Sequence, residues 1–130
     1  MKSIYLTIIF SFLLSQTMEA QTQSEKINGE FIHMVFFWLK NPDSESDRAA
    51  FKNALTKFIN TNSQVVSSHI GEPAATNRPV IDSSYTFSLV VTFPDLATHD
   101  AYQSDPTHLL FIEEAQTLWE KVRVYDSLAD

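Results

Sequence analysis

The chain has 130 residues, with 16 acidic against 9 basic side chains, a net charge of −7 and no cysteine. That balance repels nucleic acid and anionic lipid, and the missing thiols exclude disulfides and thiolate metal sites. With only 2 glycines, a glycine-rich phosphate-binding loop is excluded as well.

Lys2 precedes the apolar run Ile4–Leu14, and a polar stretch then ends Met18-Glu19-Ala20 before Gln21. This is the three-part layout of a secretory signal peptide over residues 1–20, with cleavage expected after Ala20. A membrane span needs about 20 apolar residues, more than this run supplies. An uncleaved anchor is the competing reading. Cleavage removes one base and one acid, so the net charge stays at −7. The expected product is an exported protein, periplasmic or extracellular, free of the membrane once cut. Residues 21–29 (QTQSEKING) are polar and read as a flexible leader, leaving residues 30–130 as one domain with a single core.

Phe31 to Leu39 (FIHMVFFWL) reads as a strand that is apolar on both faces. Phe31, His33, Val35, Phe37 and Leu39 point one way, and Ile32, Met34, Phe36 and Trp38 the other. A sheet with one wet face alternates apolar and polar residues, so both sides of this strand should be covered. A domain this small has helices for one face only. The side bearing His33 is expected to meet them, leaving Ile32, Met34, Phe36 and Trp38 for a second copy of the chain, in a homodimer.

Asn41-Pro42-Asp43-Ser44 breaks the strand and opens an amphipathic helix, with Phe51, Ala54, Leu55, Phe58 and Ile59 at helical spacing. Gln64 to Ile70 reads as a short strand stopped by Gly71-Glu72-Pro73, and residues 73–83 as a loop. Tyr85 to Phe93 alternates cleanly and is a strand. After Pro94-Asp95 comes a short helix over Leu96 to Gln103. Ser104-Asp105-Pro106 restarts the chain as another helix, with Asp105 as N-cap and Pro106 in its first turn. Val122 to Tyr125 is the last strand. The order βαββαβ predicts an α+β fold of the ferredoxin-like kind, a four-stranded antiparallel sheet with helices on one face.

The densest candidate for chemistry runs from Asp100 to Phe111 (DAYQSDPTHLLF). Tyr102 lies at the end of one helix and His108 in the first turn of the next, so the break at Pro106 could turn both toward one pocket. A neutral imidazole beside a phenol is an acid–base pair: the base takes a proton and the phenol donates to a developing oxyanion. The same spacing also fits a tyrosine satisfying a helix end and a histidine packed on the sheet. His33 fits a buried core network as well as a substrate contact. His69 is expected to be exposed and His99 to be a surface residue. None of the four histidines falls in an H-x3-H or H-E-x-x-H pattern, so no metal is expected.

Three segments together resemble the stress-responsive dimeric α/β-barrel (Dabb) family: the first strand with His33, the stretch AYQSDPTHLLF and the closing WEKVRVYDSL. The resemblance spans Phe31 to Leu128. It implies a ferredoxin-like subunit that pairs sheet to sheet with a twin to close a dimeric barrel. The family includes the plant polyketide cyclase that forms olivetolic acid, in which a histidine–tyrosine pair drives an aldol cyclisation between sheet and helices. The matching positions are His108 and Tyr102 for catalysis, with His33 as a first-strand pocket histidine. Phe87 and Leu55 stand where the cyclase has a further histidine and a tyrosine. With Phe111 they imply a more apolar, ligand-binding pocket.

The expected function is therefore an exported homodimer that binds a small, largely apolar molecule, with or without lyase- or cyclase-like chemistry. Two alternatives come with the resemblance: a cofactor-free monooxygenase or haem-degrading enzyme, and a non-catalytic stress-protective assembly. No cofactor is expected; haem would need an axial ligand, for which His108 is the only candidate.

Overall fold

The structure, a computed structural model, describes residues 24–130, so the expected signal peptide over residues 1–20 lies outside the described residues. The elements are β1 (Phe31–Leu39), α1 (Glu45–Thr61), β2 (Ser67–Gly71), β3 (Phe87–Phe93), α2 (Leu96–Tyr102), α3 (Pro106–Ala115) and β4 (Trp119–Leu128). The strands form one sheet in the order β2-β3-β1-β4, and every pair is antiparallel. This is the ferredoxin-like α+β fold. The helices cover one face of the sheet, because the residues that alternate inward on β1 and β3 supply the apolar surface they need.

Along β1 burial alternates without interruption. Phe31, His33, Val35, Phe37 and Leu39 are buried, and Ile32, Met34, Phe36 and Trp38 are half-buried on the open face. On β3 the inward residues Phe87, Leu89, Val91 and Phe93 are all buried. Against this floor α1 sets Phe51, Ala54, Leu55 and Phe58. Phe51 lies 4.9 Å from Phe37 and stacks on Phe87 at 5.2 Å, while Phe58 stacks on Phe111 of α3 at 5.5 Å. Aromatic pairs at such spacings add to the area they bury.

The helix ends are fixed by side chains. Ser44 caps α1 by accepting from the Asp47 N–H at 3.2 Å. At the other end Asn62 Oδ1 accepts from the N–H groups of Gln64 and Val65, while its Nδ2 donates to Thr107 Oγ1 at 2.9 Å. One buried amide thus ties the end of α1 to the start of α3. It also explains why β2 does not begin at Gln64: the N–H groups of Gln64 and Val65 are spent on the turn, and the Val66 N–H is the first to reach β3, at the Thr92 carbonyl. Asp105 caps α3 by accepting from the Thr107 N–H, and Pro106 occupies its first turn, as expected.

The last strand is longer than its central residues suggested. β4 runs from Trp119 to Leu128 and pairs along the whole of β1, with a register shift at Trp38/Leu39. Its charged residues lie on an edge strand with one open face, where polarity is tolerated. The end of the polar leader is also held. Thr92 Oγ1 donates to the Asn28 carbonyl at 2.6 Å, and Gly29 takes φ +103° where a Cβ would meet Thr92 at 2.7 Å. Among the described residues, no helix is long and apolar enough to cross a membrane.

Candidate functional site

Between the sheet and α2–α3 lies a cavity of about 260 Å³. Its walls are mostly apolar, made by residues such as Val35, Phe37, Phe111, Ile112, Val122 and Val124, and the polar groups of His33, Tyr102, Gln103, His108 and Asp126 converge on it. An apolar pocket with a few convergent polar groups is the usual form of a small-molecule site.

The break between α2 and α3 does what its sequence suggested. Asp105 and Pro106 restart the chain so that Tyr102, on the last turn of α2, and His108, on the first turn of α3, meet with ring centroids 4.3 Å apart. Tyr102 is only 2% exposed and also packs on Phe93 at 4.8 Å and Phe58 at 5.8 Å. Burial pushes its phenol well above the ordinary tyrosine range, helped by the Asp126 charge, so it stays a proton donor. Burial lowers His108 below 6.5, against the opposing pull of the Gln103 carbonyl, 3.3 Å from Nδ1, and of Asp105. At neutral pH the pair is therefore a neutral imidazole beside a protonated phenol. It can accept one proton and donate a hydrogen bond to an oxygen gaining charge.

His33 stands across the cavity, its ring 5.8 Å from that of Tyr102. Its Nδ1 lies 2.6 Å from Asp126 Oδ1. Burial lowers the His33 pKa, the largest influence, although Asp126 pulls it upward. The contact is thus a hydrogen bond from a neutral imidazole to a carboxylate more than an ion pair. Asp126 was not visible as a site residue in the sequence. It is placed by register: on β4 it sits directly opposite His33.

Not every expected site residue reaches the cavity. Phe111 lines it, with His33, Tyr102 and His108. Phe87 and Leu55 do not: Leu55 is fully buried in the core, and Phe87 packs between Phe51 and the Arg48 guanidinium, 5.0 Å from its ring. They support the sheet beneath α1, away from the α2–α3 break. His69 is exposed, as expected. His99 is not the surface residue expected of it. It is 7% exposed and stacks on Phe31 at 4.2 Å, because on a helix as short as α2 the face that buries Tyr102 also buries the residue three before it. That i, i+3 spacing was the available signal. His99 Nε2 accepts from Gln103 Nε2 at 3.1 Å, and its ring lies 5.1 Å from that of His33. His33, His99 and Asp126, from three different elements, are thereby brought together.

The open face of the sheet carries a second hollow, about 290 Å³, lined by Phe36, Trp38, Asp82, Tyr85, Lys121, Arg123 and Tyr125. Lys121 Nζ lies 4.0 Å from the centre of the Trp38 ring.

Comparison with known proteins agrees with this architecture. The chain is similar to a Dabb-family protein with a ferredoxin-like fold from Mesorhizobium loti, at 23% identity over 78% of this chain and 98% of that one, with a TM-score of 0.65. It is also similar to the hydroxynitrile lyase from Passiflora edulis, at 20% identity over 78% and 94% of the two chains, TM-score 0.64. A third likeness is to a dimeric ferredoxin-like protein of unknown function from Thermobifida fusca, at 16% identity over 82% and 99%, TM-score 0.62. At these identities the likeness is one of fold. No curated protein sequence matches the chain. The model of the stress responsive A/B barrel domain, Dabb, matches residues 31–129, nearly all of the chain that the structure describes. The chain therefore belongs to the Dabb family.

Proposed function

We propose that this protein is an exported homodimer that takes a small, largely apolar molecule into the cavity between sheet and helices and carries out proton-transfer chemistry there. The observation that carries the reading is the meeting of His108 and Tyr102, 4.3 Å apart, at an apolar cavity of about 260 Å³. Neutral His108 is the base and protonated Tyr102 the donor to the developing oxyanion. The reaction class is lyase- or cyclase-like: a proton leaves a hydroxyl or a carbon beside a carbonyl, and a carbon–carbon bond breaks or forms in consequence. A fold neighbour that is a hydroxynitrile lyase is in keeping with this class, as another, a putative antibiotic biosynthesis monooxygenase, is with the oxygenase alternative. For such a substrate His108 would take the hydroxyl proton, the carbonyl would form as cyanide leaves, and the proton would pass to cyanide.

The dimer would form through the open sheet face. Ile32, Met34, Phe36 and Trp38 support that assignment, since they are apolar and only half-buried in the single chain. Dimeric fold neighbours support it too. Export rests on Lys2 and the apolar run Ile4–Leu14.

The test is turnover of a panel of aromatic α-hydroxynitriles and phenolic ketones. His108→Ala should lower turnover by about 10²- to 10⁴-fold. Tyr102→Phe should lower it by about 10²-fold. Turnover that persists in His108→Ala removes the proposed base.

A further inference from the structure

We propose that His33, His99 and Asp126 form a site for a divalent first-row transition ion, Zn²⁺ or Fe²⁺, at the sheet side of the cavity. One ligating atom from each of the three lies within 4.8 Å of those of the other two. The carboxylate stands between the imidazoles, with Oδ1 2.6 Å from His33 Nδ1 and Oδ2 4.0 Å from His99 Nε2. The His33 and His99 side chains are 8% and 9% exposed, and Asp126 is 40% exposed. Two buried nitrogen donors with one carboxylate suit Zn²⁺ or Fe²⁺, whereas Mg²⁺ and Ca²⁺ take oxygen ligands.

His99 is already held as a metal-bound imidazole is held. Because Nε2 accepts from the Gln103 amide, the ring proton sits on Nδ1 and points to Asp100 Oδ1 at 3.3 Å. A carboxylate behind a histidine fixes the tautomer and aims the other nitrogen's lone pair. An ion would replace the Gln103 donor at Nε2. Metal–ligand bonds of about 2.0–2.2 Å place neighbouring donors roughly 3 Å apart. The ion takes the place of the His33 Nδ1 proton, which moves to Nε2 through solvent, so His33 and Asp126 must open slightly, while Asp126 and His99 close. The half-exposed carboxylate has the freedom to do both.

Three protein ligands leave a coordination position open. His33, Asp126 and Gln103 all line the cavity, so that position would face it. A hydroxyl or carbonyl oxygen of a cavity ligand could then meet the ion on one side and the Tyr102–His108 pair on the other. The site needs neither of those two residues, and it stands whether or not the proposed proton transfer does. The competing view is a hydrogen-bonded polar network that ties β1, α2 and β4 together without an ion.

Zn²⁺ competition against a chromophoric chelator, with Co²⁺ absorption as the spectroscopic probe, separates the two. The full chain should retain one ion and give visible d–d bands with Co²⁺. Asp126→Asn and His99→Phe should abolish retention with the circular dichroism unchanged. Asp100→Asn should weaken it about tenfold, because it only orients His99. His108→Ala and His69→Ala should leave it intact. If His99→Phe fails to fold, the nearly isosteric Asp126→Asn decides. Failure of the wild-type chain to hold Zn²⁺ or Co²⁺, equal retention in Asp126→Asn, or loss in His69→Ala would each overturn the site.

Discussion

Asp126 stands opposite His33 in the β1–β4 ladder, and its Oδ1 accepts a hydrogen bond from His33 Nδ1 at 2.6 Å. The donor is buried and the acceptor is half in solvent. Removing the acceptor strands a buried N–H beside the cavity, though water entering through the Asp126 side can replace part of what is lost. Asp126→Ala should therefore cost about 1 kcal/mol of stability, at the low end for an unsatisfied buried group. Urea unfolding measures it. A stability unchanged by the substitution would show that the pair contributes nothing to the fold.

Acid should silence the site late and soften the fold early; His108 accounts for the first effect and shares the second with His33, whose pKa burial also lowers. Burial holds its pKa below 6.5, with His99 acting the same way and Asp105 and the Gln103 carbonyl opposing. The neutral base therefore persists below pH 6.5, and the acidic limb of kcat/KM should lie under that value. In the unfolded chain the same imidazole titrates near 6.5 and takes up the proton that the folded site resists. Its contribution to stability is complete above that pH and is lost as pH falls toward the folded value. His108→Gln should flatten this part of the stability profile. A limb at or above pH 7 would contradict the burial argument.

Phe36→Glu should convert the dimer to monomer. Phe36 sits between Tyr85 at 4.9 Å and Tyr125 at 6.1 Å on the open face, where the substitution removes the central aromatic ring and sets a carboxylate, with Arg123 opposite it in the ladder, into a seam that has to exclude water. Analytical ultracentrifugation reads the outcome. A variant that sediments as the wild-type dimer would move the interface off this face.

Leu55→Ala separates the core from the cavity. The side chain is wholly buried beneath α1, so its truncation should cost about 2–5 kcal/mol. Because Leu55 lies outside the cavity wall, ligand affinity should hold at temperatures where the variant stays folded. Thermal unfolding and ligand titration on the same sample test both halves.

The fold was readable where periodicity was strong. Phe31 to Leu39 announces itself by an apolar run on both faces and Tyr85 to Phe93 by alternation, with β3 itself starting at Phe87, and the Asp105-Pro106 restart marks a helix start by its own chemistry. Tyr102 and His108 were legible for the same reason, since the break that positions them lies between them in the chain. Asp126 was not, because it is placed by pairing with a strand almost a hundred residues away. The polar neighbours Thr98 and Asp100 mask the burial of His99, although its spacing from Tyr102 puts it on the buried face. Phe87 and Leu55 were carried to the pocket by resemblance, whereas packing against Phe51 and the sheet assigns them to the core.

On the proposed function, the cavity beside His108 and Tyr102 holds a small apolar molecule, one per subunit of a dimer. Native mass spectrometry after incubation with 2-naphthol, which joins an apolar body to one hydroxyl, tests it most directly beside a Val124→Trp variant that fills the cavity. The wild-type dimer should carry one naphthol per chain and the variant dimer none. Naphthol retained equally by Val124→Trp, or a wild-type dimer that takes up neither naphthol nor related phenols and aromatic ketones, would contradict it.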